Sequence, residues 1–567
     1  MKKIELVLLW HMHQPDYRHH DTRQFEMPWV YLHAIKDYTD MAYHLESHPG
    51  IKAVVNFVPV LLDQLEDYAE QFASGQIRDP LLRLLATPDL ATISREDQER
   101  ILINCFKGNH NTMLKPYPAY ARLHDLYDTL QHKNAAGLIN FSERYLADLL
   151  VWYHLAWTGE SVRRHSEIIM QLITKSEGFS HAERMQLFDL IGALITELIP
   201  RYRRLAEKKQ IEISTTPHYH PLAPLLIDFA SARESVADAT LPASYAYPGG
   251  RSRVAFHVNK AITSHARRFS TKPAGIWPAE GAVSSALIPI LAESGCQWCA
   301  SSESVLINSL LHRSSAHDTL SDRNHYLYRP YRIQTKTSDV ICFFRDDRLS
   351  DLIGFEYAKW YGRDAAEHFV DMLEQIALHA GPEGNIVSVI LDGENAWEYY
   401  PYNGFFFLDD LYTLLENHPA IGTTTYSDYI VATGHLDTIA QLPALTAGSW
   451  VYGSFSTWIG DPEKNHAWDL LCAAKQSFDL VMQSDRLSEE EKAEAELQLA
   501  SCESSDWFWW FGDYNQASTV TRFDQLYRDN LANLYHLLKL PAPATLAEPI
   551  SKGDEYAEES GVMRRSS

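Results

Sequence analysis

The sequence predicts an α/β protein built around a (β/α) barrel or a close relative, with a helical insertion and a helical C-terminal region. Three observations carry that prediction. Short apolar, often β-branched runs recur at residues 4–9, 51–57, 211–214, 275–277, 297–301, 340–344, 386–391 and, with a weaker signal, 422–425. Several of these are continuously apolar rather than alternating, as parallel strands covered on both faces are. Helical periodicity separates most of them, at 60–68, 251–268 and 363–379, and alternation of strand and helix over seven or eight strands is the pattern of a barrel.

The gap between the second run and the third is too long for one crossover. Residues 65–205 read as mainly helical, with amphipathic stretches at 142–157 and 181–207, and are expected to form an insertion. Past residue 430 the strand signal fades and helical patterns follow at 466–483, 488–501 and 522–538. Ser488 with Glu491 makes a capping-box start for the second of these. The expected division is a catalytic barrel over 1–430, a helical C-terminal domain over 431–545 lining its cleft, and a polar, disordered tail over 546–567.

Composition narrows the function. The 567 residues carry a formal net charge of −24, which argues against a nucleic-acid groove or an anionic membrane surface as partner. A neutral or cationic substrate fits better. Six scattered cysteines read as reduced thiols, and Cys296 and Cys299 form a lone C-x-x-C in an apolar run, expected as buried core. The N-terminal MKKIELVLLW is too short and too polar for a signal peptide, and nothing downstream reaches a membrane-spanning length, so a cytoplasmic protein is expected.

Polar residues follow the runs wherever a barrel would open its active-site face. The first run leads into HMHQP with His11, His13 and Gln14, the third into TTPHYHPLAPLL with His218 and His220. The fourth leads into WPAEGAVS with Trp277 and Glu280, and the run at 340–344 into RDDRLSD. The run at 386–391 leads into DGENAWEYY with Asp392, Glu394 and Trp397. Paired carboxylates after two strands suit glycoside hydrolysis, in which one carboxylate attacks the anomeric carbon and the other protonates the leaving oxygen. Either carboxylate alone is as readily a helix cap.

A rival reading takes His11, His13, His218, His220 and Asp392 as ligands of a metal that activates water, as in barrel metallohydrolases. A third makes the chain a glycan-binding protein without activity. Aromatic residues favour sugar: Trp450 and Trp458 lie in SWVYGSFSTWIGD, and Trp507, Trp509 and Trp510 in SSDWFWWFGD, which Asp506 and Asp513 bracket.

Together these blocks resemble glycoside hydrolase family 57. HMHQP, HYHPLAPLL, GIWPAEGAVS, LDGENAWE and FSTWIGDPEKNHAWDLL match the family's regions in order, with ESSDWFWWFGD as a further match, and the similarity spans residues 4 to about 538. The resemblance implies an incomplete (β/α)7 barrel with helical insertions and a helical C-terminal region lining the cleft. It implies a retaining mechanism without metal or other cofactor, acting on α-glucan polysaccharides or maltooligosaccharides. Glu280 matches the nucleophile and Asp392 the general acid/base. His11, His13, Gln14, His220, Trp277, Glu394, Trp397, Trp458, Asp461, Asp506 and Trp507 are the implied binding or supporting residues. The blocks look more like the family's amylase and amylopullulanase members, with a 4-α-glucanotransferase or branching-type transglycosylase as the alternative.

Overall fold

The computed structural model describes residues 3–133, 141–311, 322–380 and 385–554. Its strands are β1 (Ile4–Met12), β2 (Ala53–Phe57), β3 (Ile211–Thr215), β4 (Gly275–Ile276), β5 (Trp298–Ser302), β6 (Tyr331–Ile333), β7 (Val340–Arg345), β8 (Ile386–Asp392), β9 (Ile421–Thr423) and β10 (Ala440–Gln441). Seven of them, β1 to β5 with β7 and β8, run parallel and close on themselves as a barrel. Two seams are thin. β3 meets β4 through the single pair Thr215↔Ile276, and β7 meets β8 through Arg345↔Ser388.

β1 is nine residues long because it serves three neighbours. β8 pairs along most of its length, β9 takes Ile4 to Leu6, and β2 takes Leu9 to Met12. The expected strand over 422–425 is therefore present one residue earlier, as a short cover on the lower half of β1. β6 and β10 were not foreseen. They form an annex outside the barrel, with β6 antiparallel to β7.

Strand alternation fixes the barrel interior. Val7, Leu9, Val54, Ala300, Ile341, Phe343, Ile386 and Ile390 pack there in one cluster with Trp277 and Trp298. Continuing the same parity upward places His11 above Leu9, Asn56 above Val54, Arg345 above Phe343 and Asp392 above Ile390. Register agrees, since His11 stands level with Asn56 on one side and with Asp392 on the other. The residues of opposite parity, among them Leu6, Leu8, Trp10, Val55, Phe344 and Leu391, pack outward in the larger core.

Between β2 and β3 the chain is helical, from Pro59–Ser74 to the long helix His181–Glu207. After the barrel come helices Pro462–Met482, Glu489–Cys502, Ser505–Trp510 and Ala517–Leu537, and the Ser488–Glu491 capping box is formed. These helices dock on the helix Gly250–Phe269 through one buried carboxylate. Glu503 accepts from Arg253 Nε at 2.8 Å, His257 Nε2 at 2.7 Å and the Tyr247 hydroxyl at 2.5 Å. Despite burial, the Arg253 charge and these donors hold its carboxyl down to about 2.

Residues 546–554, expected as the start of a disordered tail, are instead packed against the C-terminal helices. Leu546 and Ile550 are buried, Asp524 accepts from the Ile550 and Ser551 amides at 2.7 and 3.0 Å, and the Ser551 hydroxyl donates to Glu463 at 2.6 Å. Two apolar anchors and a buried carboxylate outweigh the polar composition there. The rest of that tail, 555–567, lies outside the described residues. All six cysteines are buried and unpaired, including Cys296 and Cys299. No described helix is long and apolar enough to cross a membrane.

Candidate active site

A cleft of about 630 Å³ opens at the C-terminal ends of the barrel strands. Its floor is the top layer of the barrel. His11 Nδ1 donates to Asn56 Oδ1 at 2.7 Å, and burial lowers the imidazole to about 3, so His11 is neutral. Beside it, Arg345 is fixed by its own strand's surroundings: Nε donates to the Ile390 carbonyl at 2.7 Å, and Asp347 and Asp351 accept from Nη1 and Nη2 at 2.9 Å each.

Glu280 enters from the turn after β4, where its backbone is left-handed at φ 60°. Gly281 follows at φ 57°, and a Cβ there would lie 2.8 Å from Trp277 Cη2, so the W-P-A-E-G turn needs glycine at that position. The Glu280 carboxylate accepts from Trp450 Nε1 at 3.0 Å and from the Ser505 hydroxyl at 3.4 Å. Burial, then the negative charge of Asp506, push it up to about 8.

Asp392 ends β8. It accepts from Asn395 Nδ2 at 2.8 Å, and burial raises its carboxyl against the opposing charges of His13 and Arg345. Glu394, two residues on, is buried deeper. Its Oε1 accepts the His13 amide at 3.2 Å, and burial with the Asp392 charge raises it well above the carboxylate range. Gln14 anchors the same corner, accepting from the Tyr17 hydroxyl at 2.9 Å.

Histidines cap this acidic group. His13 Nε2 donates to Asp506 at 2.9 Å, and its ring stacks on His220 with centroids 3.9 Å apart. His220, left-handed at φ 58°, sets Nδ1 2.9 Å from the Ser505 hydroxyl and 3.8 Å from Glu280 Oε1. Burial and the neighbouring His13 lower its imidazole well below the usual range, so its approach to Glu280 is not an ion pair. With Nδ1–H donating to Ser505, the Ser505 proton is directed at Glu280. Helix Ser505–Trp510 thus delivers Ser505 and Asp506 to the site from the C-terminal region, and its start is locked by the Ser505 amide on the His220 carbonyl at 2.9 Å.

The sequence-derived set divides in two. His11, His13, Gln14, His220, Glu280, Asp392, Glu394 and Asp506 all line the cleft. Trp277, Trp397, Trp458, Trp507 and Asp461 do not line it, and lie behind it instead. Trp277 is buried in the barrel, 5.3 Å from the Trp450 ring. Trp397 donates to the Gly393 carbonyl at 3.0 Å, and Trp507 to the Ser501 carbonyl at 2.9 Å within the C-terminal core. Trp458 lies buried behind Trp509, with ring centroids 5.7 Å apart. Asp461 caps helix Pro462–Met482, accepting from the Glu463 amide at 2.8 Å.

Trp450, Trp509 and Trp510 supply the aromatic wall instead. Helical phase explains the exchange, because Asp506, Trp509 and Trp510 share one face of their helix and Trp507 faces away. The insertion also reaches the cleft, through residues 107–111, Lys115 and Trp157. Two π-helical turns, His110–Leu114 and Leu352–Glu356, border it through His110 and Phe355, and a third, Ala34–Tyr38, begins directly after the cleft residue His33, in keeping with the placement of such turns at functional sites.

The metal reading loses its ligand set. His218 turns away to donate to Asp63 at 2.9 Å, where Arg268 also binds. His13, His220 and Asp506 present atoms within 4.8 Å of one another. However, the two imidazoles lie nearly parallel at 20°, so their in-plane lone pairs do not converge on one ion.

The family model for glycosyl hydrolase family 57 matches residues 7–440. Among solved structures, the chain is similar to a family 57 branching enzyme from Thermococcus kodakaraensis, with 16% identity, 94% of this chain and 90% of that chain covered, and a TM-score of 0.58. A family 57-type branching enzyme from Pyrococcus horikoshii gives 16% identity, coverage of 100% and 99%, and a TM-score of 0.56. An α-amylase from Thermotoga maritima gives 14%, coverage of 95% and 93%, and 0.54. At such identities the likeness is one of fold. No curated protein matches the chain.

Proposed function

The chain belongs to glycosyl hydrolase family 57, and from that premise we propose that it is a retaining enzyme of α-linked glucans, with Glu280 as nucleophile and Asp392 as general acid/base. One observation carries the assignment. Glu280 and Asp392 share a cleft, and Glu280 is the one whose carboxylate accepts two side-chain hydrogen bonds, from Trp450 and Ser505. Such donors aim a carboxylate and offset part of the rise to about 8 that burial and Asp506 impose on it.

In the first step Glu280 attacks the anomeric carbon, while Asp392 gives its proton to the departing glycosidic oxygen. A covalent glycosyl-Glu280 ester results. In the second, Asp392 removes a proton from water, which displaces Glu280 and restores the starting configuration. Burial raises the Asp392 carboxyl, which is the direction a general acid needs, and Glu280, raised by burial to about 8, attacks in its ionised form and is esterified before Asp392 turns base. Neutral His11 and His220, and the His13–Asp506 pair, offer donors and acceptors to sugar hydroxyls. Trp450, Trp509 and Trp510 offer ring faces.

Cleavage of α-1,4 bonds, with α-1,6 bonds as a further target, is the favoured outcome. Transfer to a sugar hydroxyl is the second reading, favoured by the aromatic wall that the C-terminal region sets along the cleft, since apolar faces disfavour water. Incubation with amylose, pullulan and maltotriose, followed by chromatography, separates them. Shorter products alone support hydrolysis, and oligomers longer than maltotriose support transfer. Loss of activity on chelation, restored by zinc, would favour the metallohydrolase instead.

A further inference from the structure

Aromatic side chains continue from the cleft onto the outer surface. Phe355 and Tyr399 line the cleft. A few residues beyond each, Trp360, Tyr361, Tyr402 and Phe406 stand 43%, 75%, 57% and 45% exposed. The Tyr402 and Phe406 rings are in contact, edge to face with centroids 5.4 Å apart. The chain at Tyr361 and Gly362 runs beside Phe406, where a Cβ on Gly362 would lie 3.3 Å from Phe406 Cβ, and Trp360 is the next residue along. Arg164 braces the patch from behind, its guanidinium 4.9 Å from the Phe406 centroid. Single exposed aromatic residues need no explanation, but four together do.

The backbone adds an independent observation. Tyr402, Asn403 and Gly404 are left-handed in succession, at φ 54°, 56° and 71°. Left-handed geometry costs about 1–2 kcal/mol for each residue with a Cβ. Two contacts enforce it: Asn403 Nδ2 donates to buried Asp40 at 2.8 Å, and Gly404 leaves space in which a Cβ would meet Trp397 Cε3 at 2.6 Å. Asparagine and glycine suit such a turn. Tyrosine does not, and its ring is more than half exposed and meets Phe406, itself exposed, edge to face, so the fold gains little from it. Strain that holds an exposed ring in place is the kind that marks a binding function.

We propose that Trp360, Tyr361, Tyr402 and Phe406 form a second binding surface for an α-glucan chain, on which the polymer stacks outside the cleft in continuation of the segment held at Phe355 and Tyr399. This rests on the glucan reading of the cleft. Tyrosine and tryptophan present a flat apolar face with a polar tip, which matches the apolar face and hydroxyl rim of a pyranose. Ion pairs frame the rings, Lys359 with Glu356 at 3.2 Å and Arg363 with Asp410 at 3.0 Å. A surface so interrupted by charge suits a narrow, neutral chain better than the broad apolar core of a protein interface.

The test is native electrophoresis through gels containing glycogen, with Glu280→Gln as background so that the polymer survives. Glycogen should retard this protein, and the added pair Tyr361→Ala and Tyr402→Asn should abolish most of the retardation. Because asparagine tolerates the left-handed turn, the melting temperature should hold or rise, which separates lost binding from lost folding. Tyr402→Phe should keep the retardation. Retardation that is absent, or that survives the double substitution, overturns the second surface whatever the cleft does. A shift from dimer to monomer on sedimentation with retardation unchanged would likewise overturn it, assigning the patch to a second copy. Tyr402-dependent retardation in a protein that cleaves no glucan would leave the surface standing and sink the reading of the cleft.

Discussion

Trp450 holds Glu280 at both ends: its amide donates to the Glu280 carbonyl at 3.0 Å, and its indole Nε1 donates to Glu280 Oε2 at 3.0 Å. The first bond fixes the strained turn and the second fixes the carboxylate. Trp450→Phe keeps the backbone bond and most of the ring, so it isolates the second. A hydrogen bond to a charged group contributes roughly 1.5–3 kcal/mol, so kcat/KM on soluble starch should fall about 10- to 100-fold. Near-UV circular dichroism should show the fold intact. An unchanged kcat/KM would mean that the indole does not orient the reacting oxygen.

Glu280 also has a cost to stability. Its carboxyl rises from 4.5 to about 8 on folding, chiefly by burial. A raised acid contributes stability that is fully present below the unfolded value and is lost as pH climbs through the folded one. Glu280→Gln cannot ionise and escapes that loss. It should therefore melt close to the wild type at pH 4.5 and above it at pH 8, by an amount bounded at roughly 5 kcal/mol. Calorimetry across that range reads the gap directly. A gap that stays constant with pH would show that Glu280 titrates as an ordinary carboxylate.

Glu503 has the opposite sign. Its carboxyl lies near 2 because Arg253 and His257 face it, so its contribution is present above about 4.5 and fades as pH falls towards 2. Glu503→Gln leaves Arg253 buried with Glu496 alone, 3.2 Å away. Breaking such a buried pair costs about 3–5 kcal/mol. At pH 7 the variant should melt lower, and the difference should shrink below pH 4.5. Turnover should fall with it, because Ser505 and Asp506 lie two and three residues further along. Full turnover in a destabilised variant would disconnect this anchor from the cleft.

Most of the acidic and histidine part of the site was legible because His11, His13, His220, Glu280, Asp392 and Glu394 lie at or shortly after the ends of apolar strands, whereas Asp506 sits on a C-terminal helix. Alternation puts His11 and Asp392 at the open end of the barrel, and the turn after β4 does the same for Glu280. The aromatic part was not, because choosing among Trp507, Trp509 and Trp510 requires the phase of a six-residue helix. Asp461 did carry a signal, since aspartate followed by proline is a helix start. His110 and Asn111 carried none: an insertion's docking on a distant rim leaves no local pattern. β6 and β10, at three and two residues, are too short for periodicity to show.

The roles of the two carboxylates can be separated by rescue. In Asp392→Asn the first step lacks its acid, so natural glucans should turn over very slowly, while an activated aryl α-glucoside or maltoside, whose leaving group needs no proton, should still glycosylate Glu280. The ester then persists, because no base activates water. Azide needs no base and should intercept it, and two displacements at the anomeric carbon give the α-azide with retained configuration. In Glu280→Ala no ester forms. Azide then enters the vacated space, attacks once from the side opposite the leaving group, and gives the β-azide. Product stereochemistry by proton NMR reads both outcomes. An α-azide from the Glu280 variant and a β-azide from the Asp392 variant would mean that the nucleophile is Asp392, and the hydrogen bonds from Trp450 and Ser505 would then serve to hold a protonated Glu280 as the acid.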